Sequence, residues 1–381
     1  MMKTNRKEGG DMATITAKIK ILPTTEDQAS LLETMATYSK ACNYVSNYIF
    51  KTHNLSLVSL HKALYYELRQ RFGLRSQMAQ SVLKTVVAKY KGILSNEHEW
   101  VKPNFKHPEY DLVWNRDYSI KNDKISLNTL VGRIKVSFSK TKMEHFFCGA
   151  WKFGTAKLVA KHGKWFLHIP MSREIPTLDD ANIANIIGCD FGINFTAVSY
   201  SSDGKTSFYS GKAIKHKRAQ YSKVRKELQR RGTSSSRRRL KAIGSRENRW
   251  MQDVNHQVSK ALVNAARANT LFVIEDLTGI RSATEKVRLK NRYVTVSWAF
   301  ADLRQKLEYK TQFAGSKVIA VDPAYTSQTC PKCGYRHKLS RNKKTHTFCC
   351  RKCGYTTNDD RVGAMNLHQK GIEYQNAVIG K

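Results

Sequence analysis

Acidic residues end apolar, strand-like segments at widely separated points of the chain. Asp190 follows Ile-Ile-Gly-Cys, Glu275 follows Leu-Phe-Val-Ile, and Asp359 and Asp360 follow a cysteine-rich segment. Carboxylates that converge from three segments are well suited to bind Mg²⁺, and two such ions about 4 Å apart stabilise the attacking and leaving oxygens of phosphodiester hydrolysis. A single acid of this kind is more often a turn former or a helix cap than a functional residue. Their joint order, strand-Asp-x-Gly-hairpin, later strand-Glu, then helix-borne Asp, is that of an RNase H-like sheet.

The strongest local pattern is made of cysteines. Cys330-x2-Cys333 and Cys350-x2-Cys353 are separated by 16 residues. Four thiolates at this double spacing close a tetrahedron around zinc with bonds of about 2.3 Å. Since four protein ligands leave no open position, the sequence predicts one structural zinc ion. Cys349 is an alternative to Cys350, but the two-residue spacing favours Cys350.

The remaining cysteines do not suggest a disulfide framework. Of the eight in the chain, five crowd into residues 330–353, and Cys42, Cys148 and Cys189 are scattered. This usage is typical of a reduced, intracellular protein with one metal site. His337 and His346 lie inside the cysteine-rich loop, and we interpret them as nucleic-acid contacts or bystanders rather than zinc ligands.

The charge balance indicates a polyanionic partner. The 381 residues include 66 Lys and Arg against 30 Asp and Glu, a net charge of +36. Nucleic acid is the favoured partner because many Lys/Arg–phosphate contacts release counterions. An anionic membrane surface is the alternative, but no segment reaches the roughly 18 apolar residues of a spanning helix, and the N-terminus lacks the apolar region of a signal peptide. A globular composition excludes a disordered basic tail, and we expect a cytoplasmic, nucleoid-associated protein of a prokaryotic-type cell.

Basic residues are concentrated in residues 211–249, which hold 15 Lys and Arg and two acids. Such a run is usually a solvated face, but here it lies within a domain and leads into an amphipathic pattern, so we interpret it as a basic helix along nucleic acid. Trp250 is a candidate for base stacking, and core packing is the equal alternative. The predicted contact residues are Lys215, Lys217, Arg218, Lys223, Arg225, Lys226, Arg230, Arg231, Arg237, Arg238, Arg239, Arg246, Arg249 and Trp250. A basic tip near substrate, or a merely soluble surface, is indicated by Lys332, Arg336, Lys338, Arg341, Lys343 and Lys344.

The elements that must position these groups follow from hydrophobic periodicity. Residues 13–22 alternate like a half-buried strand. Residues 25–96 carry apolar residues every three to four positions, which predicts a small helical bundle, and the chain from 100 to 172 returns to strand patterns. We therefore expect one β-barrel interrupted by a helical lobe. A polar linker is expected at 173–185, and an α/β domain opens at 186.

Three motifs resemble those of TnpB proteins, the insertion-sequence-encoded RNA-guided nucleases related to compact type V CRISPR effectors. IIGCDFGINFTAVSYSSDG is similar to the first RuvC motif, LFVIEDL to the second, and VDPAYTSQTCPKCG…FCCRKCGYTTNDDRVGAMNL to the zinc knuckle and third motif. The family's Asn-x-Asp pattern then selects Asp360 rather than Asp359 as third acid. Val362 and Gly363 stand where the family commonly has Asn and Ala. We expect neither difference to touch a ligand, and we interpret Asp276 and Asp322 as structural neighbours.

The resemblance implies an RNA-guided DNA endonuclease of α+β multidomain fold. Asp190, Glu275 and Asp360 would be its catalytic residues and would hold two Mg²⁺ ions, and Cys330, Cys333, Cys350 and Cys353 would hold one Zn²⁺. The partners would be target DNA and a guide RNA, either transposon-end-derived or CRISPR-type, with no membrane role and the oligomeric state open. The implied domains are a disordered N-terminus (1–12), a wedge-like β-barrel (13–24 and 97–172), a helical recognition lobe (25–96), a linker (173–185), a RuvC-like nuclease domain including the basic helix (186–325), a target-nucleic-acid-binding zinc knuckle (326–355), and the third RuvC motif with the C-terminal tail (356–381).

Three alternatives stay open at this level. A transposase could use a similar acid triad, although the knuckle before the third acid and the barrel in front argue against it. A nuclease-inactive RNA-guided DNA binder would be expected to have lost an acid, whereas Asp190, Glu275 and Asp360 are all present. In a basic RNA-binding scaffold, the acids would be incidental.

Overall fold

The computed structural model describes residues 12–106, 109–141, 143–161, 163–277 and 300–379. The chain forms two compact units that divide after Glu174. The predicted disordered segment 1–12 lies outside the described residues except for Met12, which already begins the first strand. No helix in the described ranges is long and apolar enough to cross a membrane.

The first unit is built on an antiparallel sheet of eight strands in the order β2-β7-β8-β1-β5-β4-β3, with β6 paired to β8. β1 pairs with β8 from Met12↔Glu174 to Ile21↔Trp165, and its residues alternate between buried and exposed, which confirms the predicted half-buried strand. The strands are β1 (Met12–Leu22), β2 (Glu109–Leu112), β3 (Tyr118–Lys121), β4 (Lys124–Asn128), β5 (Arg133–Phe138), β6 (Lys152–Phe153), β7 (Ala156–Lys161) and β8 (Lys164–Glu174).

Three helices follow β1, as the periodicity predicts: α1 (Thr25–Thr52), α2 (Leu57–Phe72) and α3 (Ser76–Ser95). α1 starts at a capping box, in which Thr24 and Asp27 satisfy each other's backbone N–H groups. The predicted apolar stripe of α1 is buried except at its end, where Ile49 is buried and Tyr48 is only half-buried.

The second unit contains a five-stranded sheet in the order β11-β10-β9-β12-β13. β12 runs parallel to both β9 and β13, and β10 runs antiparallel to β9 and β11. Its strands are β9 (Asn185–Asp190), β10 (Phe195–Ser201), β11 (Thr206–Ser210), β12 (Thr270–Glu275) and β13 (Lys317–Val321). The predicted linker is shorter than expected, because β8 extends to Glu174 and β9 begins at Asn185.

Helices cover both faces of this sheet. α5 (Ser234–Asn264), α6 (Phe300–Phe313) and α7 (Asp359–Ile379) pack on it, and α4 (Lys212–Arg231) packs on α5. Leu262 of α5 and Leu303 of α6 pack against Cys189 and Phe272 on one face. Leu367 of α7 packs against Val273 on the other. Parallel strands buried on both faces explain why the two segments that end in Asp190 and Glu275 are continuously apolar.

The basic stretch forms two helices rather than one. α4 ends at Gly232, whose φ of 65° lies in the left-handed region, and Thr233 caps α5 through a hydrogen bond from the Ser236 N–H. The Arg-Gly-Thr-Ser sequence therefore supplies a C-terminal glycine and an N-cap in succession. The expectation of a single basic helix over 211–249 is wrong at this point.

A small antiparallel sheet lies between β13 and α7. Its strands are β14 (Arg341–Asn342), β15 (Thr347–Cys349) and β16 (Thr356–Asn358). The four cysteines of the predicted zinc site lie in turns before β14 and between β15 and β16, and β16 leads directly into α7. The zinc-binding segment and the third acid are therefore joined by a few residues of chain.

Candidate metal centres and nucleic-acid surface

Asp190 and Glu275 are brought together by strand register. Cys189 of β9 lies beside Ile274 of β12 in a parallel pair, so the next residue of each strand leaves the sheet at the same edge. Asp190 is the last residue of β9 and Glu275 the last residue of β12. Both carboxylates lie at the carboxyl ends of adjacent strands, as is common for sites in sheets of this kind.

Asp360 is carried to this edge by the first turn of α7. The side-chain oxygen of Asn358 accepts hydrogen bonds from the backbone N–H groups of Asp360 (3.0 Å) and Arg361 (3.2 Å). Asn358 is thus the N-cap of α7, and the Asn of the Asn-x-Asp pattern fixes the start of the helix that bears the acid.

α7 lies unusually close to β9. A Cβ on Gly188 of β9 would lie 2.1 Å from the Ala364 carbonyl oxygen of α7, and a Cβ on Gly363 would lie 2.6 Å from Asp190 Oδ2. At Gly188 the blocking atoms belong to the backbone of α7, so only glycine permits the approach there. The expectation that the Gly363 difference touches no ligand is therefore wrong, because the backbone of Gly363 lies directly against the Asp190 carboxylate.

The electrostatics of the acids reflect crowding of like charges. Burial, followed by the charges of Glu275 and Asp360, raises the pKa of Asp190 well above its usual value. Burial also raises the pKa of Glu275, and burial together with Asp359 raises that of Asp360. Carboxyl groups in this state gain from a nearby cation, because the cation favours the ionised form.

Arg341 is a cation that contacts two acids of the first turn of α7. Its Nε donates to Asp359 Oδ2 at 2.8 Å, and its Nη2 lies 3.7 Å from Asp360 Oδ1. The guanidinium lowers the pKa of Glu275 and of Asp360, opposing burial. The sequence groups Arg341 with the basic tip of the knuckle, but the structure places it among the acids.

Thr326 and Asn366 support the site in a way that no sequence pattern singled out. The Thr326 hydroxyl donates to Glu275 Oε1 at 2.6 Å. Asn366 Nδ2 donates to the carbonyl oxygens of Thr326 (2.6 Å) and Thr329 (2.8 Å). Because Asn366 lies on α7, it ties the segment that orients Glu275 to the helix that carries Asp360.

Asp276 pairs with Arg304 and Asp322 accepts from the Ala324 N–H, in keeping with structural roles.

The acids are not gathered into one tight group. Within the described residues, two clusters have metal-ligating atoms that all lie within 4.8 Å of one another, the four cysteines, and His346 with Asp359 and Asp360. The trio Asp190, Glu275 and Asp360 is not among them. It shares one edge of the sheet and interacts electrostatically, but it is wider than a single-ion site.

The four cysteines form a compact tetrad. The Sγ atoms of Cys330 and Cys353 are 3.7 Å apart and those of Cys333 and Cys350 are 3.5 Å apart. A zinc–thiolate tetrahedron with 2.3 Å bonds has edges of about 3.8 Å, so the arrangement fits the ion.

The two halves of this tetrad share the same backbone turn. The Gly334 and Gly354 N–H groups donate at 2.9 Å to the carbonyls of Cys330 and Cys350, and both glycines have left-handed φ values of 69° and 72°. Backbone N–H groups, that of Cys353 first, lower the pKa of Cys350 to about 6, which favours the thiolate that binds metal. Cys349 is exposed and stands outside the tetrad, as the spacing predicts.

The predicted nucleic-acid residues divide by exposure. Arg218 is only 3% exposed, so the expectation of an accessible contact is not met there. Arg225 pairs with Glu247, and Lys215 donates to Asn194. Trp250 packs against Ile214 and Met251 with Lys217 above its ring, which agrees with the packing alternative. The exposed members are Lys223, Lys226, Arg230, Arg231, Arg237, Arg238, Arg239, Arg246 and Arg249.

Two family models match parts of the chain. The one described as "Cas12f1-like, TNB domain" matches residues 300–367, and the one described as "Probable transposase" matches residues 168–280. Between them they contain all three candidate acids and the four cysteines.

Several relatives are similar over longer spans. A CRISPR-associated endodeoxyribonuclease Cas12f1 from Sulfoacidibacillus thermotolerans is 30% identical over 61% of this chain and 57% of its own length. A TnpB-like protein from Methanocaldococcus jannaschii is 29% identical over 66% of this chain and 92% of its own length. A putative RNA-guided DNA endonuclease, InsQ, from Escherichia coli is 26% identical over 78% of this chain and 74% of its own length. The alignment thus spans little more than half of the Cas12f1 relative.

Solved structures share the fold. The structure described as a Cas12f1–sgRNA–target DNA complex has a TM-score of 0.60 at 13% identity, covering 94% of this chain and 99% of that chain. The mini-RNA-guided endonuclease CRISPR-Cas_phi3 has a TM-score of 0.56 at 11% identity, covering 96% and 93%. The mixed α/β fold therefore matches that of compact Cas12f-type effectors.

Proposed function

We propose that this chain, which is related to TnpB proteins and to the compact type V CRISPR effectors, is an RNA-guided DNA endonuclease with a single RuvC-like site. The observation that carries the proposal is the convergence of Asp190, Glu275 and Asp360 at one edge of a sheet with strand order β11-β10-β9-β12-β13. The neighbouring strands β9 and β12 end in Asp190 and Glu275, and the first turn of α7 brings Asp360 to the same edge.

The residues present fit the metals that this activity requires. The acids offer only oxygen ligands, which suit Mg²⁺, and their raised pKa values indicate a cluster that would gain from cations. When bound, Mg²⁺ would activate water and stabilise charge on the phosphate oxygens. Asp190, Glu275 and Asp360 would hold two ions, and Cys330, Cys333, Cys350 and Cys353 would hold one Zn²⁺.

The chain's own residues prepare this site. Thr326 orients Glu275 through its hydroxyl, and Asn358 fixes the first turn of α7 and with it Asp360. Arg341 compensates part of the negative charge from the opposite side. The close packing of α7 against β9 at Gly188 and Gly363 fixes the distance between Asp190 and α7. Together they fix where carboxylate oxygens meet a phosphodiester.

A guide RNA and target DNA are the proposed partners. A net charge of +36 suits a nucleoprotein complex rather than a free enzyme. The exposed arginines of α4 and α5, such as Arg237, Arg238 and Arg239, would contact the backbone of the guide–target duplex, whose sequence is read by base pairing. The guide would come from a transposon end or a CRISPR array, and the protein would act in the cytoplasm on nucleoid DNA.

The domains divide this work. We assign residues 13–24 and 97–172 to a wedge-like barrel and residues 25–96 to a recognition lobe, which would hold the guide scaffold and recognise a short motif beside the target. Residues 326–355 would contact target nucleic acid. Residues 186–325 and 356–381 would form the RuvC-like nuclease domain, which residues 173–185 link to the barrel.

The direct test is cleavage of a plasmid that carries a target matched to the bound guide. Asp190→Ala should abolish cleavage, with a loss of at least about a thousandfold, while retaining binding to guide and target. Glu373→Ala is the matched control, because Glu373 is exposed on the same helix as Asp360 and lies outside the acid cluster, so cleavage should persist. If the unmodified protein bound guide and target without cutting, a nuclease-inactive RNA-guided DNA binder would be favoured. If it joined DNA strands to one another, a transposase would be favoured.

A further inference from the structure

His346 lies beside the acid site although it belongs to the zinc-binding segment, between β14 and β15. Its φ of 55° is in the left-handed region. Its carbonyl oxygen accepts hydrogen bonds from Asn358 Nδ2 (3.1 Å) and from the Asp359 N–H (3.3 Å). A histidine in this conformation persists where surrounding contacts hold it. The start of α7 therefore holds His346 in place.

The imidazole is oriented toward a buried carboxylate. His346 Nδ1 lies 3.6 Å from Asp359 Oδ1, and Asn194 Nδ2 lies 2.6 Å from His346 Nε2. Asn194 comes from the loop that follows β9, so the loop after Asp190 holds a ring that comes from the zinc-binding segment. The Asn194 amide N–H is a donor, so it holds the metal-free ring and must turn away from the ring nitrogen that takes the ion.

Asp359 provides the second, independent observation. Its side chain is fully buried. Arg341 satisfies its Oδ2, but Oδ1 has no hydrogen-bond partner among the described residues, and neither has Oδ2 of Asp360. Buried carboxylate oxygens without a partner are costly. The two unpartnered oxygens belong to the same first turn of α7, next to the imidazole.

We propose that His346, Asp359 and Asp360 form a binding subsite for a divalent transition-metal ion, with Mn²⁺ as its best physiological occupant. Their ligand atoms all lie within 4.8 Å of one another. A metal with bonds of about 2.2 Å spans about 4.4 Å between opposite ligands, so small side-chain rotations close the site. Asp359, which the TnpB-like pattern leaves as a variable position, thereby becomes a ligand.

The ligand chemistry sets the preference for the ion. Mg²⁺ favours oxygen ligands alone, whereas imidazole favours the later divalent ions, and Mn²⁺ accepts both imidazole and carboxylate. The inference rests on the proposed function in one respect, since Asp360 is shared with the nuclease site. One of the two ions there would then sit against His346, outside the all-oxygen set of Asp190 and Glu275.

Pulsed electron paramagnetic resonance of Mn²⁺ bound to the zinc-loaded full chain tests this directly. The unmodified protein should show nuclear coupling from an imidazole nitrogen, and His346→Ala should lose it and weaken that Mn²⁺ at least tenfold. His337→Ala is the matched control, because His337 lies in the same loop, stacked on Tyr335, and should retain the coupling. Bound zinc and melting temperature show whether each variant is folded.

Asp190→Ala separates this inference from the proposed function. It should abolish cleavage while leaving the nitrogen coupling intact, because Asp190 is not one of the three ligands. Nitrogen coupling in a protein that cuts no DNA would support the subsite and contradict the proposed nuclease activity. DNA cleavage without nitrogen coupling, or nitrogen coupling that persists in His346→Ala, would contradict the subsite but not the proposed nuclease activity. His346→Asp should shift the preference from Mn²⁺ toward Mg²⁺, and an unchanged preference would count against a ligand at this position.

Discussion

The cysteine tetrad and the acid cluster differ in how their ligands are assembled. The tetrad takes its ligands from two short turns of one segment, and its sulfur atoms lie within bonding range of a single ion. The acids come from β9, β12 and α7. Their positions depend on the register between β9 and β12 and on how closely α7 packs against β9. Local spacing thus specifies the first site almost alone, whereas the second is a property of the folded domain.

The two sites also differ in electrostatics. Within the tetrad the pKa shifts have both signs, since backbone N–H groups lower the pKa of Cys350 to about 6 whereas burial raises that of Cys330. Burial and like charge raise the pKa of Asp190 and Asp360, which opposes their ionisation until a cation is near. We therefore expect changes to the tetrad to act through folding and changes to the acid cluster to act through charge.

Removal of a zinc ligand should have the largest effect. Cys350→Ser should release zinc and unfold the segment that leads into α7, because a structural zinc contributes about 10 kcal/mol or more to folding. Metal analysis and thermal melts measure both. Cys349→Ser is the matched control and should retain one zinc per chain. If Cys349→Ser lost zinc and Cys350→Ser kept it, the assignment of the fourth ligand would be wrong.

Arg341→Ala should have the next largest effect. It leaves the buried Asp359 without its guanidinium, and breaking such a pair costs about 3–5 kcal/mol, measured as the free energy of unfolding. Since Arg341 lowers the pKa of Glu275 and Asp360, its loss should also shift the acid limb of the cleavage profile to higher pH. Arg341→Ala combined with Asp359→Asn should recover most of the stability. No recovery would show that the pair is not the source of the loss.

Gly188→Ala should destabilise by about 1–3 kcal/mol. The new methyl group would lie 2.1 Å from the Ala364 carbonyl and would push α7 away from β9. Urea unfolding measures the loss. Gly244→Ala has open space around it within a helix and should be neutral or stabilising by up to about 1 kcal/mol. Equal effects at the two positions would contradict the close approach of α7.

Asp190→Asn should have the smallest effect on stability, and of opposite sign. Because the pKa of Asp190 is raised in the folded chain, its charged form destabilises the metal-free protein at neutral pH, and this penalty disappears as protonation sets in at lower pH. Asn should therefore raise the melting temperature at neutral pH, and the gain should shrink as the pH falls toward the usual aspartate pKa of about 3.9. Saturating Mg²⁺ should reverse the order of the two proteins. A gain independent of pH would point to packing rather than charge.

Much of the fold follows from local pattern. The half-buried alternation of β1, the helical stripe of α1 and the apolar strands before Asp190 and Glu275 were all predictable. The resemblance to TnpB proteins, carried by the RuvC-like motifs and the knuckle, is confirmed by the family models and relatives. The run of basic residues does not by itself predict the break at Gly232, where a left-handed glycine ends α4.

The support of the acid site could not be predicted in the same way. Nothing in the one-dimensional pattern distinguishes Arg341 from the other cations of the knuckle, Thr326 from other hydroxyls, or Gly363 from a neutral substitution. Their roles arise where β13, the knuckle and α7 meet, through contacts between residues such as Thr326 and Glu275 that are 51 positions apart. Contacts of this range are set by the whole domain rather than by local spacing.

We propose that a guide RNA directs cleavage at the acid site. The most direct measurement sequences the RNA that co-purifies from the native flanking locus, replaces its variable end, and maps cleavage on plasmids carrying the old and new targets. We expect one discrete structured RNA, and cleavage that follows the new end and is absent in Asp190→Ala. Bulk or absent RNA, or cutting that ignores the replaced end, would contradict the guided mechanism.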